Sequence, residues 1–295
     1  MHAFLRAIGF RDIKQREFDE IYQETKKTPD SVQEIIDSDG FHFAEIRRTV
    51  APGIGISFRG IMDENDSFIK EYYFPYHISR RVSTDEEVEL IAASDKESYL
   101  GVCDDIRVGV DLVFHVQDML SLMKTRGQNP GTVNYGGVAL SALASEGMVL
   151  LPVARQVQGA GKMNMPPEQK RELLEAARRG DNGAYEELSM SEMDILSKIA
   201  RRVEKEDIYT IVRTTFMPSG YENDKYQIVA DILSVDTIYN PYTAQKVYTL
   251  VLGCNGLIFE ACINASDLLG EPMEGRRFKG KIWMQGQVNM AGDNP

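Results

Sequence analysis

The clearest periodic signal in the chain is the alternation of apolar and polar positions between Tyr226 and Val288. Tyr226, Ile228, Ala230 and Ile232 recur at every second residue, the period of a strand with one buried face. Tyr239-Asn240-Pro241-Tyr242-Thr243 interrupts the pattern with a proline, and Val247 to Leu252 resumes it with residues suited to a pleated surface. Asn255-Gly256 then separates two strand-like runs. A two-residue hairpin needs positive φ at both central positions, which Asn and Gly tolerate. Leu257 to Ile263 reads as a third strand, and Ala265 to Gly270 as a short helical turn closed by glycine. Arg277 to Val288 is a last strand, with Phe278, Gly280, Ile282, Met284, Gly286 and Val288 on one side. This order predicts a small antiparallel β-barrel, closed or partly closed, like the oligonucleotide/oligosaccharide-binding (OB) fold.

Upstream, Phe18, Ile21 and Tyr22 sit at helical spacing within the charged run Lys14 to Lys27, so a helix with one apolar face is expected there. Val32 to Ile36 is read as another helical turn. Phe41 to Val50, Ile54 to Met62 and Ser67 to His77 follow as a meander of three strands, punctuated by Pro52-Gly53 and by Asp63-Glu64-Asn65-Asp66. Glu87 to Ala93, Ser98 to Cys103 and Ile106 to Val116 continue it. A helix is predicted over Asp118 to Arg126. Gly137 to Ala144 and Met148 to Val153, separated by Ser145-Glu146-Gly147, read as a buried hairpin, although Ala and Leu leave a helix open for the first run. Gln158-Gly159-Ala160-Gly161-Lys162 falls where strand-like composition gives way to helical. Pro166-Pro167-Glu168 opens a helix to Arg179, and Asn182 to Glu204 continues helical. Ile208 to Phe216 leans to strand.

The pattern as a whole predicts an α+β chain in three parts: an N-terminal antiparallel β-rich domain with flanking helices (1–160), a helical middle (161–206), and a C-terminal OB-like barrel (207–295). With 295 residues, 43% hydrophobic and 26% charged, the chain can bury a core without disulfides or metals. Its formal charge of −12 disfavours free nucleic acid and anionic membranes. The barrel segment departs from that excess: Lys225, Lys246, Arg276, Arg277, Lys279 and Lys281 balance Asp231, Asp236, Glu260, Asp267, Glu271 and Glu274. Cys103, Cys254 and Cys262 show no metal-ligand spacing, and a reduced pair is preferred to a Cys254–Cys262 disulfide. No signal peptide or membrane-length apolar run is apparent, so the expected location is cytoplasmic.

Motifs that carry chemistry are sparse. Gly53-Ile54-Gly55 lacks the third glycine of a dinucleotide loop, Gly159-Ala160-Gly161-Lys162 lacks the spacing of a P-loop, and Asp63 to Asp66 lacks the glycine and glutamate of a calcium loop. No metal site and no cofactor are expected. Two surfaces stand out. Asp111 and His115 lie four residues apart on one predicted strand, hence on one side, with Asp118 following; a base and its orienting carboxylate need that much, and a hydrogen-bonded face needs no more. Lys279, Lys281 and Trp283 share the side opposite Phe278 and Ile282. Basic residues interleaved with an aromatic suit single-stranded nucleic acid, and equally protect an edge strand.

The runs Phe4 to Phe10, Ala177-Arg178-Arg179-Gly180-Asp181, Arg201 to Asp207, Phe216-Met217-Pro218-Ser219-Gly220 and Gly280 to Gly286 resemble an uncharacterised family of hypothetical proteins of about this length from anaerobic Gram-positive bacteria. The resemblance implies a bacterial cytoplasmic protein whose fold is kept as one unit. It carries no assigned catalytic residues. The function expected first is therefore non-catalytic: binding of a macromolecular partner, or self-association. The alternatives are an enzyme or small-ligand binder around Asp111, His115 and Asp118, and single-strand binding by Lys279, Lys281 and Trp283.

Overall fold

The protein is represented by a computed structural model. It describes residues 1–36, 40–92, 98–105, 107–126, 137–152, 212–219 and 224–288, with scattered positions between 172 and 187. A 3-10 helix (Ala3–Ile8) leads into α1 (Gln15–Lys27), whose Phe18, Ile21 and Thr25 are buried. Four antiparallel strands follow in the order β1 (Ser31–Ile36), β2 (His42–Ala51), β3 (Ile54–Met62) and β4 (Phe68–His77). Val32 to Ile36 is thus a strand and not a helical turn. Its residues pair with His42 to Ile46, and β-branched side chains favour that ladder.

A larger sheet takes the rest: β5 (Val88–Ala92), β6 (Tyr99–Cys103), β7 (Leu112–Val116), β8 (Val138–Leu150), β9 (Thr215–Pro218), β10 (Lys225–Tyr239), β11 (Lys246–Cys254), β12 (Leu257–Asn264), β13 (Leu268–Leu269) and β14 (Arg277–Val288). Between β7 and β8 lies α2 (Met119–Arg126). The β11–β12 turn is the expected one, with φ of 52° at Asn255 and 87° at Gly256. Within this sheet five strands close on themselves in the order β8, β12, β11, β10, β14 and back to β8. All neighbours are antiparallel except β12 and β8, where Glu260 lies opposite Ser141. Ala142, Ile228, Leu250, Leu252, Phe259, Phe278 and Met284 fill the interior.

The closing strand corrects two expectations. Residues 137–150 do not form a hairpin, because β14 offers β8 a partner from Val138 to Leu150. A shift of register at Lys281/Ile282 lets the ladder pass Ser145-Glu146-Gly147, and Lys281 Nζ meets Glu146 Oε1 at 2.7 Å. Division at 160 and 207 also gives way: the barrel takes β8 from the N-terminal half, so Met1–Leu150 and Thr215–Pro295 make one compact unit. Leu151–Thr214 is the second unit. There Asp181 Oδ1 accepts from the Gly183 and Ala184 amides at 2.9 and 3.2 Å. Most of the predicted helical middle, and the boundary at Gln158 to Lys162, lie outside the described residues. Among those residues no helix is long and apolar enough to cross a membrane.

A second core joins the four-stranded sheet to the barrel's outer wall. Phe4, Ile8, Phe58 and Phe74 pack there with Leu143, Val247, Cys262 and Trp283. Polar side chains alternating with those apolar ones are thereby enclosed.

Candidate functional site

The enclosed polar residues form a charged seam between β2–β3, β7 and β14. Glu45 on β2 is 1% exposed and lies opposite Arg59 on β3. Arg59 Nε donates to Glu45 Oε2, and Arg47 Nε donates to Glu45 Oε1 at 2.6 Å. Burial pushes the Glu45 carboxyl up, but the charges of Arg59 and Arg47, with their hydrogen bonds, outweigh it and hold the group below the usual carboxylate range. Both guanidinium groups also donate to the Gln117 carbonyl, at 2.7 Å from Arg47 and 3.0 Å from Arg59. Arg59 further stacks over the Phe74 ring, 4.7 Å from its centroid.

Gln117 carries the network toward the barrel. Its Nε2 donates to the His77 carbonyl at 2.8 Å and to Gln285 Oε1 at 2.7 Å, while Gln285 Nε2 donates to the Pro75 carbonyl at 2.8 Å. Ser141 Oγ donates to the same His77 carbonyl. His77 lies within the barrel-facing wall, its Nε2 3.6 Å from Glu260 Oε2, and burial depresses its pKa to about 4.

His115 stands at the centre of this seam, 2% exposed. Its ring lies 4.6 Å from Phe74 and 5.0 Å from Trp283. Burial first, then the charges of Arg59 and His2, keep its pKa well below the ordinary imidazole value. Asp111 is not its partner. The strand begins at Leu112, so Asp111 precedes it and is exposed, while His115 is near the far end. The base-and-carboxylate pair expected from spacing is therefore not assembled. Asp118 keeps some surface as a residue, but its carboxyl is enclosed and accepts from the Val288 amide at 3.2 Å. Burial raises that carboxyl to about 7 against the opposing pull of two backbone amides, Arg47 and Arg59.

The barrel candidates also fall differently from expectation. Phe278, Ile282 and Met284 point inward, and Trp283 points outward as predicted. However, Trp283 is only 4% exposed, because the N-terminal helix covers it. Its ring lies 4.8 Å from His2 and 5.5 Å from Phe4, and Nε1 donates to Asp224 Oδ2 at 2.6 Å. Lys281 is exposed and engages Glu146; Lys279 is half-buried. The three residues do not form an open stacking surface.

Chemically, the seam holds charge away from bulk solvent. Among the described residues Ser57 Oγ, His77 Nδ1, His115 Nε2 and Gln117 Oε1 are buried without a hydrogen-bond partner, the condition that internal water ordinarily relieves. Glu45, Arg47 and Arg59 escaped the sequence reading because alternating charges on a meander look like a solvated face.

Fold and seam together define a mostly β protein, built on a closed five-stranded barrel whose outer wall carries a four-stranded antiparallel sheet. The chain belongs to the family described as "Domain of unknown function, E. rectale Gene description (DUF3881)", whose model matches residues 5–286. No curated protein and no solved structure matches it.

Proposed function

We propose that this chain is a non-catalytic cytoplasmic protein that binds a protein partner along an open strand edge. The observation that carries the reading is β1. Among the described residues β1 pairs with β2 alone; α2 lies against it and Gln33 and Ile35 are half-buried, while Val32 and Ile36 on its other face are 50% and 65% exposed. An edge strand presents unpaired amides and carbonyls, which proteins usually guard with charge, proline or a bulge. The other edge of the same sheet, β4, has all three: Lys70 and Glu71, Pro75, and a register shift at Arg59/Gly60. On β1 the only charged side chain is Glu34. Addition of a partner strand is the recognition mode that such an edge serves.

The remaining features agree with this reading. His115 and Asp118, the residues suited to acid–base work, are enclosed in a packed seam. The barrel's pairing scheme favours an OB-like arrangement with the closing strand moved to the front of the chain: a meander β10–β11–β12, then β14 antiparallel to β10, with β8 parallel to β12. The face an OB barrel uses for ligands, its second and third strands, corresponds to β11 and β12. Here His77 approaches Glu260 on β12 from outside, Arg80 and Arg81 act on the same carboxylate, and β10 and β11 carry Asp231 and Asp236 beside Lys225 and Lys246. That mixture of signs does not single out a phosphate backbone. Three buried free cysteines fit a reducing compartment.

Panning a library of random extended peptides against the wild type and against Val32→Lys/Ile36→Lys tests the reading. Binders lost in the double variant are expected. A wild-type chain that selects no strand peptide would contradict it, and binders lost in His115→Ala, with the fold intact, would move the function to the seam.

A further inference from the structure

Resting on the open-edge reading, we infer that the occupant of β1 is an extended segment of another protein in which a lysine or arginine lies between two aliphatic residues, each two positions away. Three observations define this chemistry: the face that β1 leaves open, the charges around it, and the consequence of putting a second copy there.

Val32, Glu34 and Ile36 share one face of β1, since side chains alternate along a strand. They continue the face on which Ile46 and Ala44 pack, because Val32 lies opposite Ile46 and Glu34 opposite Ala44. A strand added to the free side sets its own residues directly opposite these three. Two aliphatic side chains would then cover Val32 and Ile36, and a cation would meet Glu34.

The surroundings reinforce the charge. Glu34, Asp30 and Glu24 all keep much of their side chains in solvent, although one Glu34 oxygen already meets His42 Nε2 at 3.1 Å, leaving the other for a cation. Arg48, which approaches Glu24 and Asp30, offsets one of these charges, so the three carboxylates and one guanidinium keep a net negative charge. The whole chain carries −12, so its long-range field also draws a cationic partner.

A second copy of the chain fits less well. In a two-fold antiparallel pairing, opposite residue numbers have a constant sum, and placing Val32 opposite Ile36 of the second copy makes that sum 68. Glu34 then falls opposite the second copy's Glu34, and like charges directly opposite destabilise a sheet. Self-pairing would also bring together two bodies of charge −12.

Fluorescence polarisation with the intact chain decides the matter, using a labelled peptide of pattern Val-Thr-Lys-Thr-Val within a neutral flank. Two controls accompany it: the same peptide with Glu for Lys, and the Lys peptide N-methylated on alternate backbone amides, which keeps charge and apolar content but cannot pair an edge. The Lys peptide should bind, more weakly as salt rises. The Glu peptide should bind about tenfold more weakly. Binding should vanish with one N-methylation register and with Val32→Lys/Ile36→Lys. Equal binding of Lys and Glu peptides would overturn the inference, as would equal binding of both N-methylated registers. Strand peptides that bind without a basic centre would overturn the partner chemistry and leave the open edge standing; failure of every strand peptide would remove both. Sedimentation showing a wild-type dimer that Val32→Lys/Ile36→Lys dissolves would assign the edge to a second copy instead.

Discussion

Glu45 balances two guanidinium groups from a position that is 1% exposed, so its removal leaves buried cations uncompensated. Glu45→Gln should lower the free energy of unfolding in urea by about 3–5 kcal/mol at neutral pH. Its native pKa is depressed, so its contribution is present above its unfolded value and is lost as pH falls through the native one; the variant should lack that acid limb. Asp118 has the opposite sign. With a native pKa of about 7 it favours folding most fully below its ordinary value, and that advantage is lost as pH rises toward about 7. Asp118→Asn should therefore stabilise the chain by roughly 2–4 kcal/mol at pH about 8, the gain shrinking toward pH about 5. Trp283, the single tryptophan, reports on the seam directly: its emission should be blue-shifted and resist iodide quenching. At this scale sequence spacing pointed to His115 and Asp118 but misassigned their company. A plain two-residue hairpin at Pro52-Gly53 would put Glu45 opposite Gly60. The irregularity between Thr49 and Ala51 moves it opposite Arg59, and no sequence period announces that shift.

Among the elements, β8 and β14 decide whether the barrel closes. Alternation gave β2 to β4, β10 to β12 and the inward face of β14, because one face is buried and the other is not, but it missed β1 and started β7 six residues early. It misread β8, where Ser145-Glu146-Gly147 has turn-like composition in the middle of a thirteen-residue strand. The glycines explain how the pair stays together. A Cβ on Gly280 would stand 2.4 Å from the Phe278 ring and 2.6 Å from the Glu146 carbonyl, so the two strands approach too closely there for any side chain. Gly280→Ala should cost about 1–3 kcal/mol and lower Tm accordingly, which calorimetry would read. An unchanged Tm would mean that the β8–β14 ladder is looser than described.

For the molecule as a whole, closure by β8 makes 1–150 and 215–295 a single compact unit, although Leu151–Thr214, the second unit, intervenes in the sequence. Local pattern could not reveal this, since a parallel β12–β8 pair between residues more than a hundred positions apart leaves no short-range signal. A fragment of residues 207–295 alone should consequently lack cooperative thermal unfolding by circular dichroism, whereas an autonomous barrel would melt cooperatively. The same architecture encloses the residues with acid–base chemistry and leaves β1 at the margin, and that contrast is the basis of the functional reading. Hydrogen exchange followed by mass spectrometry on the free chain tests it most directly. If β1 is an open edge, the alternate amides of Ser31–Ile36 that point away from β2 exchange orders of magnitude faster than those of β3 and slow when the lysine-centred peptide is added. Protection of Ser31–Ile36 equal to that of β3 in the free chain would mean the edge is already covered, and would contradict the account.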